Sequence, residues 1–306
     1  MRMPGSLLAC GTVTAMSKKT ILLAALLLAV LPIMSGCSGP NPASIQGSSP
    51  TTMPAVSPKT DFPHIPLAED LYLRQIREGV YVVTHAFPWP ANSLIIEMEN
   101  SDLVLAGTPY TPEAMDTVLQ WIRGQFGGRK ITAVNPGYHV DNLGGNSALI
   151  AAGIPVYGSD LTVRMLEERG EQTRQLLLDM LPDPADESYR KAHAAIPYIP
   201  PDHLFPAEEG LTLSFGQEQV VVYWPGPTQA PDKMVIYFPG KKVLFGSCMV
   251  LAGEKPGNIS EADLENWPDA IAKLKQFDAA FVVPGHGDRL DPGLLDHTIA
   301  LLSVAE

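Results

Sequence analysis

Four apolar segments of the sequence each end at a turn that offers a polar side chain of the kind that binds metal. ITAVNPGYHVD supplies His139 and Asp141, KVLFGSC supplies Cys248, and AAFVVPGHGD supplies His286; the fourth segment, VVVYWPGPTQAPD, supplies Gln229. Asp, Cys and His are zinc ligands, and three protein ligands with an open fourth position are typical of catalytic zinc. The sequence therefore predicts a metal centre assembled from several loops.

The segment NPGYHVDNLGGN departs from a tight His-x-His-x-Asp zinc-binding turn at one position. His139 and Asp141 stand in the expected places, but Gly137 stands where the first histidine would be. Glycine has no side chain that could bind a metal. At this point three interpretations are open: a metal site that lacks one ligand, a different kind of metal site, or no site.

The elements that must position these turns come in two similar halves. Short β-rich runs at 79–84, 92–98 and 101–106 precede an amphipathic helix at 111–126, and then the first polar turn. A second strand-rich half, with LTLSF, QVVVYW, KMVIYF and KVLFG, ends with two helices. Two such halves packed sheet on sheet, with helices outside, predict an α/β fold: a four-layer αβ/βα sandwich.

Residues 160–206 separate the two halves and are interpreted as an insertion that could lie over a cleft. Its first part is charged and helical, with a break or bend at Gly170, and its second part is Pro-rich and irregular. Asp232, further along, is interpreted as a turn residue. His193 and His203 of the insertion are predicted to be surface histidines rather than replacement metal ligands.

The N-terminal part of the chain is predicted to lie outside the folded domain. Residues 1–36 have the build of a secretory signal, whose core starts at Met16, and Met-Ser-Gly-Cys at their end resembles a bacterial lipobox. Met16 rather than Met1 is then a candidate start. Cys37 would carry lipid, residues 37–66 would form a flexible tether, and residues 67–306 would form the catalytic domain. This predicts a periplasmic protein anchored to a bacterial membrane, the outer membrane in our interpretation.

A transmembrane anchor is the alternative interpretation of the same segment. The apolar run at 21–34 has 14 residues, whereas a spanning helix needs about 20. We therefore favour the lipoprotein, with the membrane contacted only through the lipid.

Composition limits the partners. The chain has 306 residues, is 45% hydrophobic and carries a net charge of -12. No basic stripe accompanies this acidic balance, so nucleic acid is not an expected partner. Cys248 is the only cysteine of the predicted catalytic domain, which leaves it as a buried thiol, a nucleophile or a metal ligand. We expect a monomer.

Five segments, in order, resemble the metallo-β-lactamase family over about residues 75–300. They are PANSLIIE, LAGTPYTPEAMDTVLQWI, GYHVDNLGGN, GPTQAPDKMVIYFPGKKVLFGSCMV and GNISEADLENWPDAIAKLK. Cys248 and Asn142 stand where the wider superfamily usually has aspartate and histidine. The resemblance is therefore to the β-lactamase branch with a cysteine ligand, whose fold is the predicted sandwich.

The resemblance implies which residues bind zinc. In the two-zinc subclass one site has three histidines, and its positions here are the degenerate set Gly137, His139 and Gln229. The other site is complete, with Asp141, Cys248 and His286. The carbapenem-selective subclass works with a single zinc in the Asp-Cys-His site and is the most similar one. The resemblance thus implies one Zn²⁺ per chain.

The implied chemistry is hydrolysis of a cyclic amide. Zinc would stabilise the nitrogen anion as the C–N bond breaks. His139 or Asp141 would orient or deprotonate the attacking water, because a neutral histidine is a plausible general base near pH 7.

Three further residues are implied to bind substrate. Asn258 lies where family members place a residue near the lactam carbonyl, and Trp89 lies in the loop that covers the apolar face of the substrate. The family lysine that grips the substrate carboxylate is replaced by Leu251, and Lys255 is the candidate substitute.

These inferences predict a zinc-dependent β-lactam hydrolase that confers antibiotic resistance and takes small β-lactams as substrates. Two alternatives remain open. One is a hydrolase of the same fold that acts on another ester or amide. The other is a catalytically decayed zinc-binding lipoprotein, which the exchange of histidine for Gln229 and the loss of the family lysine would explain.

Overall fold

Two β-sheets of eight and five strands form the centre of the fold in residues 62–304, the part of the chain that this computed structural model describes. The predicted signal, the lipidation site Cys37 and nearly all of the predicted tether lie outside the described residues. Within the described range, no helix combines the length and apolar character needed to cross a membrane.

The first sheet follows chain order from edge to edge. Its strands are β1 (His64–Pro66), β2 (Leu71–Arg77), β3 (Val80–Ala86), β4 (Pro90–Glu97), β5 (Leu103–Ala106), β6 (Ile131–Val134), β7 (Val156–Ser159) and β8 (His203–Phe205). The pairs from β1 to β5 are antiparallel, and those from β5 to β8 are parallel. The strand β1 comprises residues that composition assigned to the end of the tether.

The second sheet has the order β13-β12-β11-β10-β9. Its strands are β9 (Leu211–Phe215), β10 (Glu218–Tyr223), β11 (Val235–Phe238), β12 (Val243–Ser247) and β13 (Phe281–Pro284). Only the β12–β13 pair is parallel. Because β12 and β13 run in the same direction, the turns that follow them emerge at the same edge of the sheet.

Seven α-helices complete the described fold. They are α1 (Pro112–Phe126), α2 (Val140–Leu143), α3 (Asn146–Ala151), α4 (Asp160–Asp179), α5 (Glu187–Ala195), α6 (Trp267–Lys273) and α7 (Leu294–Leu302). The helix α1 begins as its sequence predicts, since the Thr111 hydroxyl accepts a hydrogen bond from Ala114 N and Pro112 occupies the first turn.

The main core lies between the two sheets. Val82 and Ile96 of the first sheet share a buried apolar cluster with Ile236 and Phe245 of the second. The outer face of the first sheet is covered by α1 and α3, and the outer face of the second by α6 and α7. These are the four layers of the predicted αβ/βα sandwich, and the predicted fold class is confirmed.

The insertion differs from its prediction in two respects. Gly170 does not break the helix, because α4 continues from Asp160 to Asp179. Gly170 is buried, and a Cβ there would lie 3.2 Å from Leu166 Cδ1, so the glycine permits close packing on that face. The Pro-rich part is not irregular throughout, since it contains α5 and β8. Proline and glycine favour breaks in a local pattern, but tertiary packing decides between a break and a continuous helix.

One glycine determines how α2 approaches the first sheet. A Cβ on Gly144 would lie 1.9 Å from the backbone oxygen of Tyr110. Only glycine allows this approach, which places the α2 segment against the loop after β5.

We expect Gly144→Ala to lower the free energy of unfolding by about 2 kcal/mol or more, because the added methyl overlaps backbone that cannot move freely. Urea denaturation measures this quantity. The matched control is Gly124→Ala in α1, where a Cβ meets nothing within 4 Å and helix propensity favours alanine. Equal stability of the two variants would contradict the steric explanation.

Candidate functional site

The turn after β6 presents Asp141 on a short helix. The side chain of Asn135, directly after the strand, donates to the backbone oxygen of Asn142 at 3.0 Å. The helix α2 begins immediately after His139, so Asp141 lies in its first turn. An anionic side chain is favoured there by the helix dipole and the free backbone N–H groups. The local sequence thus holds one carboxylate rigidly at the edge of the first sheet.

The turns after β12 and β13 present Cys248 and His286 side by side. Ser247, the last residue of β12, has a φ of 47°, a left-handed conformation that is strained for a residue with a side chain. The backbone N–H of Gly285 donates to Ser247 O at 2.7 Å. A Cβ on Gly285 would lie 2.7 Å from Cys248 N. Glycine at this position therefore lets the two turns touch.

Three predicted ligands meet at this edge. Cys248 Sγ lies 2.9 Å from Asp141 Oδ2 and 3.7 Å from His286 Nε2. His286 Nε2 lies 3.1 Å from Asp141 Oδ2. Residues so far apart in the chain converge because the turns of both sheets open on the same side of the sandwich.

The three side chains fit a zinc ion. Zn–S, Zn–N and Zn–O bonds of about 2.0–2.3 Å in tetrahedral geometry place the ligand atoms roughly 3.4–3.6 Å apart. The His286 and Cys248 atoms, 3.7 Å apart, are close to this spacing. Asp141 Oδ2 lies 2.9 Å from Cys248 Sγ and 3.1 Å from His286 Nε2, so it must move away from both by roughly half an ångström or less for an ion to enter. Among the residues that the structure describes, this is the one group of three or more Asp, Glu, His and Cys side chains with such geometry.

Hydrogen bonds from neighbouring groups orient the three ligands. Asn142 Nδ2 donates to Asp141 Oδ1 at 2.6 Å and approaches Cys248 Sγ at 3.7 Å. Ser247 Oγ in turn donates to Asn142 Oδ1 at 2.7 Å and fixes the amide orientation. His286 Nδ1 donates to Pro90 O at 2.8 Å, which turns Nε2 toward the other two ligands. Such outer contacts set ligand geometry and imidazole tautomer in metal sites.

The protonation states agree with a cation site. Burial raises the pKa of Asp141, but the hydrogen bond with His286 and the charges of Lys233, His286 and His139 outweigh it and hold the pKa well below its usual range. Burial lowers the pKa of His286, and its contacts with Asp141 and Cys248 raise it well above the usual value. A metal must displace the His286 proton in order to bind, so metal affinity falls at low pH.

Comparisons with known proteins agree with this geometry. A model of the metallo-beta-lactamase superfamily matches residues 134–286, which is half of the chain and includes all three converging side chains. The chain belongs to the metallo-β-lactamase superfamily. Membership supports a hydrolase of the zinc-dependent β-lactamase type.

Relatives with this name cover most of the chain. A "Metallo-beta-lactamase type 2" of Bacteroides fragilis is 27% identical over 244 residues, which cover 76% of this chain and 86% of the relative. A protein of the same name from Pseudomonas aeruginosa is 26% identical over 239 residues, covering 75% of this chain and 83% of the relative. A solved metallo-beta-lactamase structure from Pontibacter korlensis is 29% identical, with a TM-score of 0.63, and the match covers 76% of this chain and 99% of that one.

The three positions of the family's histidine site do not offer a ligand set here. Gly137 has no side chain. Gln229 is buried, and its amide nitrogen donates to Asn258 O at 3.3 Å, so it is tied to the loop on the far side of the cleft. His139 Nε2 lies 3.0 Å from Glu261 Oε2. The chain therefore has a complete Asp-Cys-His group and an incomplete histidine group, in which Gly137 and Gln229 replace two histidines.

Glu261 is a site residue that sequence reasoning missed. Its carboxylate accepts hydrogen bonds from the Tyr138 hydroxyl and from His139, and Arg169 lies 3.6 Å away. Burial alone would raise the pKa of Glu261, but the hydrogen bonds from His139 and Tyr138 outweigh burial and lower the pKa to about 2. A hydrogen bond to the ionised Glu261 favours a proton on His139 Nε2. Its signal in the sequence is the motif GNISEAD, in which Glu261 follows Asn258 by three residues.

A cleft of about 860 Å³ opens over the three ligands. The predicted substrate-binding residues Trp89, Lys255 and Asn258 all line it, together with His139, Asp141, Gln229, Cys248 and His286. The insertion contributes an apolar wall, formed by Leu176, Leu177 and Met180 at the end of α4 and in the turn that follows it. The predicted position of the insertion, over a cleft, agrees with this wall. A cleft of this size suits a small organic molecule.

The prediction that His193 lies on the surface is wrong, whereas His203 is exposed as predicted. His193 is 1% exposed, and its Nε2 bonds to the backbone oxygen of Phe87 at 2.9 Å. Its ring also lies 5.0 Å from the Phe87 ring and 6.4 Å from the Trp89 ring. This contact joins the insertion to the loop that carries Trp89, a long-range pairing that no local pattern could indicate.

The pKa of Glu261 predicts a pH-dependent stability. Its folded value of about 2 lies below the ordinary value of 4.5, so its contribution is complete above pH 4.5 and is lost as the pH falls toward 2. We expect the free energy of unfolding of the native protein to drop, between pH 5.5 and 3.5, by roughly 1 kcal/mol more than that of Glu261→Gln. Urea denaturation at both pH values measures the difference.

Glu208→Gln is the control for this measurement, because Glu208 is exposed and lies outside the site. It should keep the pH dependence of the native protein. If Glu261→Gln also keeps it, the carboxylate does not have the partners described above.

Proposed function

We propose that this protein hydrolyses β-lactams with a single zinc ion held by Asp141, Cys248 and His286. The observation that carries the proposal is the convergence of these three side chains at the floor of a cleft of about 860 Å³. Family membership and the names of the relatives support the reaction class. The absence of a histidine group at Gly137, His139 and Gln229 favours one ion over two.

Zinc in this position would act as a Lewis acid that stabilises the negative charge on the lactam nitrogen as the C–N bond opens. The residues of the chain have separate tasks. Asp141, Cys248 and His286 leave one side of the ligand group open to the cleft, where the lactam binds. Cys248 is 7% exposed, so bulk water has little access to it. The low accessibility strengthens electrostatic interactions at the floor of the cleft.

His139 is the general base in this proposal. The ionised Glu261 accepts a hydrogen bond from His139 Nε2–H, which leaves Nδ1 to take a proton from the attacking water. Among the described residues no hydrogen-bond partner competes for Nδ1. A carboxylate that orients an imidazole and stabilises its protonated form is a recurring arrangement of general bases.

Substrate binding uses the two rims of the cleft. Asn258 and Lys255 lie on one rim, where an amide and an ammonium can bind the carbonyl and the carboxylate of a bicyclic lactam. Trp89 and the α4 wall on the other side suit the apolar substituents of the substrate. Lys255 takes the task that the family gives to a lysine at the position of Leu251.

The cellular setting is part of the same proposal. Lipid on Cys37 and a tether before the catalytic domain would keep a monomeric enzyme in the periplasm, where it meets β-lactams before they reach their targets. Palmitate labelling of cells that express the native chain and a Cys37→Ala variant, followed by membrane fractionation, measures this. Equal labelling and membrane content of both would contradict lipid attachment at Cys37.

The hydrolysis test compares the native protein with Cys248→Ser. We expect hydrolysis of a carbapenem or a chromogenic cephalosporin to fall at least about a hundredfold, because a hydroxyl is a much poorer zinc ligand than a thiolate. Zinc content by mass spectrometry should fall with it. The control is His203→Ala, which removes an exposed histidine outside the cleft.

Two outcomes would contradict the proposed function. A native protein that binds zinc but turns over neither drug would be a zinc-binding protein without β-lactamase activity. A native protein that turns over a lactone or thioester and neither drug would be a hydrolase with another substrate.

The role of His139 is tested separately from metal binding. We expect His139→Ala to lower kcat for lactam hydrolysis by about 10²–10⁴, as the loss of a general base does, while zinc content stays at that of the native protein. Stopped-flow hydrolysis and metal analysis of the same sample give both values. Unchanged kcat would move the base role to Asp141.

A further inference from the structure

Lys233 is the most deeply buried cation near the site, and neither the family resemblance nor the proposed reaction uses it. The side chain is 0% exposed, and its Nζ has no hydrogen-bond partner among the described residues. Burying an unpaired ammonium is unfavourable by several kcal/mol. A lysine persists in such a place when surrounding charge compensates for it.

The space that Lys233 fills is the space next to Gly137. A Cβ on Gly137 would lie 2.9 Å from Lys233 Cδ and 3.2 Å from Lys233 Nζ. The backbone N–H of Met234 donates to Pro136 O at 2.8 Å and holds the two segments in this position. A histidine at position 137 and the lysine at position 233 would therefore compete for the same volume. The absence of a side chain at Gly137 leaves the room that the Lys233 side chain occupies.

Negative groups surround the ammonium. Burial lowers the pKa of Lys233, but the charges of Cys248, Asp141, Asp232 and Glu261 outweigh this and raise it. Two of these groups, Asp141 and Cys248, are proposed zinc ligands. Asp232 is fully buried, and its Oδ1 has no hydrogen-bond partner and lies 3.4 Å from the Cβ position of Gly137. The Lys233 ammonium therefore lies among the acidic side chains of the site.

The other two positions of the incomplete histidine group, Gln229 and His139, have hydrogen-bond partners of their own. Gln229 Nε2 is bound to Asn258 O, and its Oε1 is buried without a partner. His139 Nε2 is bound to Glu261. Among the residues that the structure describes, no second group of three or more Asp, Glu, His and Cys side chains has metal-binding geometry.

We propose that the Lys233 ammonium takes the place of a second metal ion: it supplies positive charge beside the Asp141–Cys248–His286 centre and limits that centre to one ion. The inference rests on the proposed function only in taking those three side chains as the metal ligands. Lys233 is a positioning residue, because it reaches neither the substrate nor the lining of the cleft.

The first experiment measures zinc affinity, with zinc alone as the probe, by competition with a chromophoric chelator. Lys233→Met fills nearly the same volume without the charge, so a role in packing alone would leave the affinity unchanged. Removing a positive charge near Asp141 and Cys248 should tighten zinc binding by at least about tenfold. The matched control is Lys191→Met, which removes a lysine that is 76% exposed. An affinity for Lys233→Met equal to that of the control would overturn the inference.

The second experiment counts bound zinc in the native protein and two multiple variants. We expect one ion in the native protein, one in Gly137→His/Gln229→His, which keeps the ammonium, and two in Gly137→His/Gln229→His/Lys233→Asn. Two ions in the native protein or in the double variant, or one ion in the triple variant, would contradict the inference. Circular dichroism establishes whether each variant is folded. If a multiple variant does not fold, the zinc affinity of Lys233→Met alone decides the inference.

Failure of the inference and failure of the proposed function are distinguishable. A native protein with one zinc and no lactam turnover would leave the inference in place and overturn the function. Lactam hydrolysis by a native protein that binds two zinc ions would overturn the inference and the single-ion count, and would leave the proposed β-lactam hydrolysis in place.

Discussion

The candidate site depends on cations that stabilise closely spaced acidic side chains in a space with little access to water. Asp141 and Cys248 line the cleft, Asp232 is fully buried nearby, and Glu261 is bound to His139; all four act on the charge of Lys233. Like charges this close in a low dielectric repel strongly unless cations stand between them. The proposed zinc ion, the imidazole of His286 and the ammonium of Lys233 share that task. In the inference drawn above, the Lys233 ammonium is a covalently attached cation that takes the place of a second metal ion.

The sandwich supplies the rigidity that this charge arrangement needs. The ligands come from turns after β6, β12 and β13, and each turn is held by backbone contacts that depend on particular residues. Ser247 is strained and Gly285 allows a backbone approach that a side chain would block. The backbone N–H of Asn92 donates to Gly285 O at 2.8 Å, so the first sheet holds the turn that carries His286. Strain of this kind persists only when surrounding packing determines it fully.

Two residues of the short segment after β6, His139 and Asp141, have different partners and therefore different roles. His139 and Asp141 are two residues apart, yet His139 faces Glu261 while Asp141 faces Cys248 and His286. The α2 helix begins between them and turns their side chains to different sides. In the proposed function this places a general base beside the metal rather than on it. The insertion, joined to the Trp89 loop through His193, then closes the apolar side of the cleft.

The sequence alone determined the fold class, the start of α1 and the set of side chains that meet at the candidate centre. Those follow from local periodicity, capping residues and ordered motifs, which short windows of sequence contain. The continuity of α4 through Gly170, the burial of His193 and the charges around Lys233 were decided by tertiary packing. Lys233 and Glu261 look like ordinary charged residues in the chain. The environment of Lys233 depends on Gly137, Asp141 and Glu261, and that of Glu261 on Tyr138 and His139. These neighbours are more than twenty residues away in the chain, and only the folded structure brings them together.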